Sequence, residues 1–232
     1  MSYIERNAAL ERLYCRHWAT FEQLRRSDKY LSNPYLAWVH PDYETARIRL
    51  VVVGKETSGW ANELQLKNLP PKQAVRALMN EYRDFRLGIG YSGKRSFWTP
   101  VHELYRQLNP TGGDLGFVAL NTSKMDWDSS IPPSPITDAL VSTRILPEEI
   151  RILEPHVVVF HTGPAHEGIL DKWFPGLERH GDNFKADNFR AALTSPDLPS
   201  LAFRTYHPRY LNYQSKRKEI YEWIAGRVRA AA

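Results

Sequence analysis

Three polar residues, each at the end of an expected strand, carry the chemistry open to this chain. Glu56 comes after the apolar run 50–53 and Gly54-Lys55, Asn121 follows the apolar run 115–120, and His207 follows the strand expected over 201–206. A carboxylate can position a water and take its proton. An amide offers one donor and one acceptor to the edge of a planar base, and an imidazole can donate to charge leaving on that base. Taken singly, each has an ordinary reading as a solvated loop carboxylate, a capping asparagine or a His-Pro turn. Taken together at three successive strand ends, they are the equipment for cleaving an N-glycosidic bond. A glycosidase of the paired-carboxylate kind needs a second acid, for which Asp126 and Asp128 are the available residues, and this reading ranks lower.

Other chemistries lose their support. No Gly-x-Gly-x-x-Gly stands directly after the first apolar run, where a dinucleotide fold places it, and no Gly-Lys-Ser/Thr loop occurs, so dinucleotide and nucleoside-triphosphate binding are not indicated. His156, His161 and His166 have no carboxylate cluster of ligand spacing beside them. They read as packing or surface histidines, and no metal or other cofactor is expected.

For the three polar residues to meet, the strands before them must open on the same rim, as they do if the sheet is parallel. Leu50, Val51, Val52 and Val53 follow one another without polar alternation, as in a strand buried on both faces of a parallel sheet. In open α/β sheets ligands bind outside the carboxyl ends of the strands. The expected fold class is therefore α/β, with three α/β/α layers and a central, mainly parallel four-stranded sheet formed by residues 47–53, 115–120, 157–160 and 201–206. Helical spacing of apolar residues marks 4–24, a helix started by Pro70-Pro71 that carries Val75, Leu78, Met79, Tyr82 and Phe85, and a helix over 97–108. Further helices are expected over 147–153, after Gly163-Pro164, and from Gln214.

Between these elements, Ser32-Asn33-Pro34 and His40-Pro41-Asp42 read as loop, Gly88, Gly90 and Gly93 as a basic loop, and 128–135 as a stiff loop near the site. Residues 184–193 are ambiguous, with Asp187-Asn188 a possible hairpin turn. No repeat or linker is visible, so a single domain over 1–232 with an N-terminal helical extension to about residue 45 is expected.

A count of 31 Lys and Arg against 26 Asp and Glu gives a formal charge of +5, which suits a polyanionic partner without requiring one. Seven Trp and twelve Tyr supply flat faces for base stacking, although most are expected in the core. Cys15 is the single cysteine, so there is no intrachain disulfide and no cysteine-held cluster, which fits a reducing cytoplasm. No apolar stretch reaches membrane-spanning length, and charges interrupt the N-terminus where a signal peptide needs an apolar core. A cytoplasmic monomer with no membrane partner is the expectation.

The ordered set Gly54-Lys55-Glu56, Leu120-Asn121-Thr122, the helix-Pro-strand segment 146–163 and His207-Pro208 resembles the uracil-DNA glycosylase superfamily. It extends over about 47–210 of the chain. The resemblance implies that Glu56 orients or activates the attacking water, that Asn121 reads the base edge beside Gly54 and Lys55, and that His207 stabilises the departing base anion. An aromatic stacks on the base; Phe97 is preferred over Trp98, Trp60 and Tyr91. Ser58, Lys94, Arg95, Lys124 and Arg209 are expected along the nucleic-acid backbone. Glu56 followed by Thr57-Ser58, and Arg209 after His207-Pro208, depart from the family pattern. The implied activity is hydrolysis of uracil or another deaminated or damaged base from DNA, single-stranded or mismatched. A catalytically silent nucleic-acid or nucleotide-binding module on the same fold is the alternative, and a glycosidase acting on free nucleosides is a weaker third reading.

Overall fold

The computed structural model describes residues 1–90, 95–181 and 189–231. Six strands form one sheet: β1 (Leu50–Gly54), β2 (Phe117–Asn121), β3 (Val157–Phe160), β4 (Glu178–His180), β5 (Arg190–Thr194) and β6 (Leu201–Thr205). Their spatial order is β2-β1-β3-β6-β5-β4. Every residue of β1, β2 and β3 is buried, as unbroken apolar runs require when both faces of a sheet are covered. β2, β1, β3 and β6 are mutually parallel, whereas β5 and β4 run antiparallel beside β6.

The sheet is thus mixed and six-stranded rather than four-stranded. The two additional strands had no apolar run to announce them. β4 has three residues, none of them buried, and β5 alternates half-buried and buried positions through Leu193. Glu178 pairs with Thr194 and His180 with Ala192, and the Asp187-Asn188 turn lies outside the described residues.

Nine helices accompany the sheet among the described residues: α1 (Tyr3–Ser27), α2 (Asp42–Thr45), α3 (Pro71–Phe85), α4 (Arg95–Leu108), α5 (Ser134–Ser142), α6 (Ile145–Leu153), α7 (Glu167–Trp173), α8 (Pro208–Tyr213) and α9 (Arg217–Ala231). α1 begins with a capping box, in which the Ser2 hydroxyl accepts from the Glu5 N–H and the Glu5 carboxylate accepts from the Ser2 N–H. Its inward face of Leu10, Leu13, Tyr14 and Phe21 is wholly buried, and it packs on α3, α5 and α6. α4 packs instead on α8 and α9, and α9 lies against β6. α5 and α8 each start on a proline segment, because early helical positions need no N–H. No described helix is long and apolar enough to cross a membrane.

Two local features position the site. β2 is an edge strand, and the Tyr82 hydroxyl on α3 substitutes for a missing neighbour. It accepts from the Ala119 N–H at 2.8 Å and donates to the Ala119 carbonyl at 3.1 Å. The segment 31–40, expected as a loop, is almost wholly buried. A buried irregular backbone must find partners for its polar groups. Here Ser32 N–H donates to the Asp126 carbonyl, Tyr35 N–H to the Lys124 carbonyl, Ala37 N–H to the Tyr14 hydroxyl and Val39 N–H to Asn7 Oδ1. This segment carries Tyr35 to the carboxyl edge of the sheet.

Candidate active site

β1 has parallel partners on both sides, and the chain reaches β2 on one side before crossing to β3 on the other. Such a reversal opens a crevice beyond the strand ends. A cleft of about 420 Å³ lies there, lined by Gly54 at the end of β1, Lys55, Glu56 and Ser58 just beyond it, Asn121 at the end of β2, and His207 after β6. Phe97, Trp98 and Trp60 line it as well. Three strand ends and an aromatic wall therefore meet in one place.

The turn bearing Glu56 is held by Asp126. The Asp126 carboxylate accepts from the Thr57 hydroxyl, from Gly59 N–H at 3.0 and 3.1 Å, and from Ser129 N–H at 2.8 Å. Burial alone would raise this carboxyl, but the hydrogen bonds from Thr57, Gly59 and Ser129 outweigh it and hold the group below the ordinary carboxylate range. Asp126 is accordingly committed to the turn rather than serving as a second acid. The turn is further fixed to β2, since Ser123 N–H and the Thr122 hydroxyl both donate to the Lys55 carbonyl at 2.9 Å.

Asn121 is the register partner of Gly54. A Cβ on Gly54 would lie 2.5 Å from Asn121 Oδ1, so the glycine is what allows the amide to lie across the end of β1. Asn121 is 9% exposed and lines the cleft. Gly88 plays the same part for the aromatic wall: its φ is +76°, and a Cβ there would lie 2.5 Å from the Trp98 ring.

The wall is continuous. Ring centroids are 4.7 Å apart for Tyr35 and Trp60, 5.6 Å for Trp60 and Phe85, 5.2 Å for Phe85 and Trp98, and 5.0 Å for Trp98 and Phe97. These contacts are all edge-to-face, the arrangement that ring quadrupoles favour. Phe97 then lies 5.3 Å from the His207 ring at 33°. His207 Nδ1 accepts from the Arg209 N–H at 3.2 Å, so the neutral ring carries its proton on Nε2 and offers a donor.

Two further histidines lie behind the rim. His161 follows β3, is wholly buried, and packs edge-on against Phe97. Burial, followed by the proximity of His207, lowers it to about 3. His166 is also buried, and burial together with Lys55 lowers it to about 4. Both are uncharged at neutral pH.

The expected backbone contacts fare unevenly. Lys124 cannot reach a phosphate, because it is wholly buried with its Nζ 2.5 Å from Glu149 Oε2. The segment 31–40 folds over it, with the Tyr35 N–H on its carbonyl. Arg209 is exposed in α8 and stands outside the cleft lining. Ser58 is exposed at the cleft and donates to Ser129 Oγ at 3.1 Å. Arg95 opens α4, whereas Lys94 and Tyr91 lie outside the described residues.

Other lining residues were not anticipated. Tyr35 came from an apparent loop, and Phe85 was placed on the apolar face of its helix. Glu81, on α3, is raised by burial and by the nearby carboxylates of Glu63 and Asp84. Among the described residues no group of three or more His, Cys, Asp or Glu is placed to hold a metal ion. No protein-family model, curated protein or solved structure matches the chain.

Proposed function

We propose that this chain is a DNA N-glycosylase, hydrolysing the bond between deoxyribose and uracil or another deaminated or damaged base. The observation that carries the reading is the convergence of Glu56, Asn121 and His207 with Phe97 on one cleft at the carboxyl edge of the sheet. Its support comes from residue types and placement, together with the likeness of the motifs to uracil-DNA glycosylases. A cytoplasmic monomer acting on DNA is part of the proposal, in keeping with the single cysteine and the positive net charge.

Each group has a role in such a reaction. The aromatic wall receives an extruded base, and Phe97 is the ring of that wall that packs against His207. Extrusion costs about a few kcal/mol, least for mispaired or single-stranded bases. Asn121 hydrogen-bonds the base edge with its donor and acceptor. Glu56 orients water toward C1′ and accepts its proton, while the Nε2–H of His207 stabilises charge on the departing base.

The test is release of base from oligonucleotides carrying uracil, hypoxanthine or other modified bases. Asn121→Asp, which replaces a donor with an acceptor, is expected to change which base is released. An unaltered base preference in that variant would contradict the role given to Asn121.

A further inference from the structure

His166 has no part in the reaction as described, yet it faces the residue that reaction depends on. It ends the one-turn 3-10 helix Pro164–His166 after β3 and is 1% exposed. Its Nε2 lies 3.8 Å from Glu56 Oε2 and makes no hydrogen bond among the described residues. A buried imidazole nitrogen beside a cleft carboxylate is costly to leave unused.

The proton on the ring can be placed from its other contact. His166 Nδ1 lies 3.4 Å from the Thr122 hydroxyl oxygen, and that hydroxyl already donates its one proton to the Lys55 carbonyl at 2.9 Å. Thr122 can therefore only accept, and the proton of His166 belongs on Nδ1. Nε2 is left with a lone pair, 3.8 Å from a carboxylate oxygen. Two acceptors stand apart at such a distance, and a proton between them draws them to hydrogen-bond length.

We propose that His166 is a positioning residue for Glu56: its Nε2 lone pair accepts a hydrogen bond from the Glu56 carboxyl once that group has taken the proton of the attacking water. This inference rests on the glycosylase reading of Glu56. In the step concerned, the water oxygen bonds to C1′, and the C1′–N bond breaks with its electron pair leaving on the base. One water proton passes to Glu56, and the departing base takes up a proton from solvent. His166 gains and loses no proton; it holds the protonated carboxyl in one orientation and is anchored through Thr122 to the Lys55-Glu56 turn.

Two substitutions separate this role from simple packing. His166→Asn keeps a donor for Thr122 and withdraws the atom facing Glu56, whereas His166→Gln places an acceptor near the position of Nε2. On the best-released oligonucleotide, the Asn variant is expected to lose about tenfold to a hundredfold in kcat with KM little changed. The Gln variant should recover part of that loss. Full activity of the Asn variant, or a Gln variant as impaired as the Asn one, would overturn the proposal.

A spectroscopic measurement needs no turnover. In ¹⁵N-histidine spectra His166 is expected as the neutral Nδ1–H tautomer, with its Nε2 resonance displaced by Glu56→Gln. An Nε2–H tautomer, or an Nε2 resonance unmoved by that substitution, refutes the contact. Absence of base release by the unaltered protein would instead refute the glycosylase reading, and the spectra would still decide whether His166 engages Glu56.

Discussion

At the scale of residues, the cleft depends on what a few positions leave out as much as on what they supply. Gly54 has no side chain, and Asn121 occupies the space a Cβ would take. Gly54→Ala must push the amide aside or move the end of β1. We expect a stability loss of about 1–3 kcal/mol, the usual cost of overpacking, read from urea unfolding. Base recognition should suffer as well, seen as a rise in KM on the released substrate. Glu56 was legible as a rim carboxylate because it follows an unbroken apolar run and a glycine. Its partners were not: Asp126 lies seventy residues further along the chain, and only the folded turn brings the Thr57 hydroxyl and the Gly59 N–H to it.

Elements were readable in proportion to how strongly burial shaped their sequences. β1, β2, β3 and β6 are parallel and largely buried, and the apolar runs of the first three stand out; α1, α3, α4 and α9 show helical spacing. β4 and β5 sit at the far edge with exposed positions, and the six-residue α8 is too short to show a period. The segment 31–40 is a separate case. Asn33-Pro34 spells a loop and the segment is indeed irregular; what these residues did not announce is its burial, which four backbone N–H groups make possible by finding partners on α1 and on the stretch after β2. The same principle governs the open edge of β2, where Tyr82 satisfies both polar groups of Ala119. Tyr82→Phe removes that hydroxyl and leaves both unpaired in a buried place. A loss of about 1–3 kcal/mol is expected, measured by the unfolding midpoint, with faster amide exchange at Ala119.

Across the whole molecule, the wall behind the cleft is braced by a fully buried polar cluster. Tyr14 on α1 donates to Glu149 Oε1 at 2.7 Å, and Lys124 lies against Oε2 of the same carboxylate. Burial opposes both charges, lowering Lys124 and raising Glu149, and their mutual attraction works against it. The cluster joins α1, α6 and the stretch after β2 that leads to Asp126, and so ties the N-terminal helix to the Glu56 turn. Glu149→Leu alone strands a buried ammonium and is expected to cost about 3–5 kcal/mol. Adding Lys124→Met should restore part of that stability, which thermal unfolding of the single and double variants would show. A double variant less stable than the single would contradict this account of the pair.

The central claim, that the cleft uses Glu56 to direct water at a glycosidic bond, meets its most direct test in a base-excision panel run on the unaltered chain and Glu56→Gln side by side. The account predicts abasic product from at least one deaminated or damaged base, and a loss of about a hundredfold or more in the Gln variant, as for removal of a general base. No abasic product from any substrate, or equal release by the Gln variant, would contradict it.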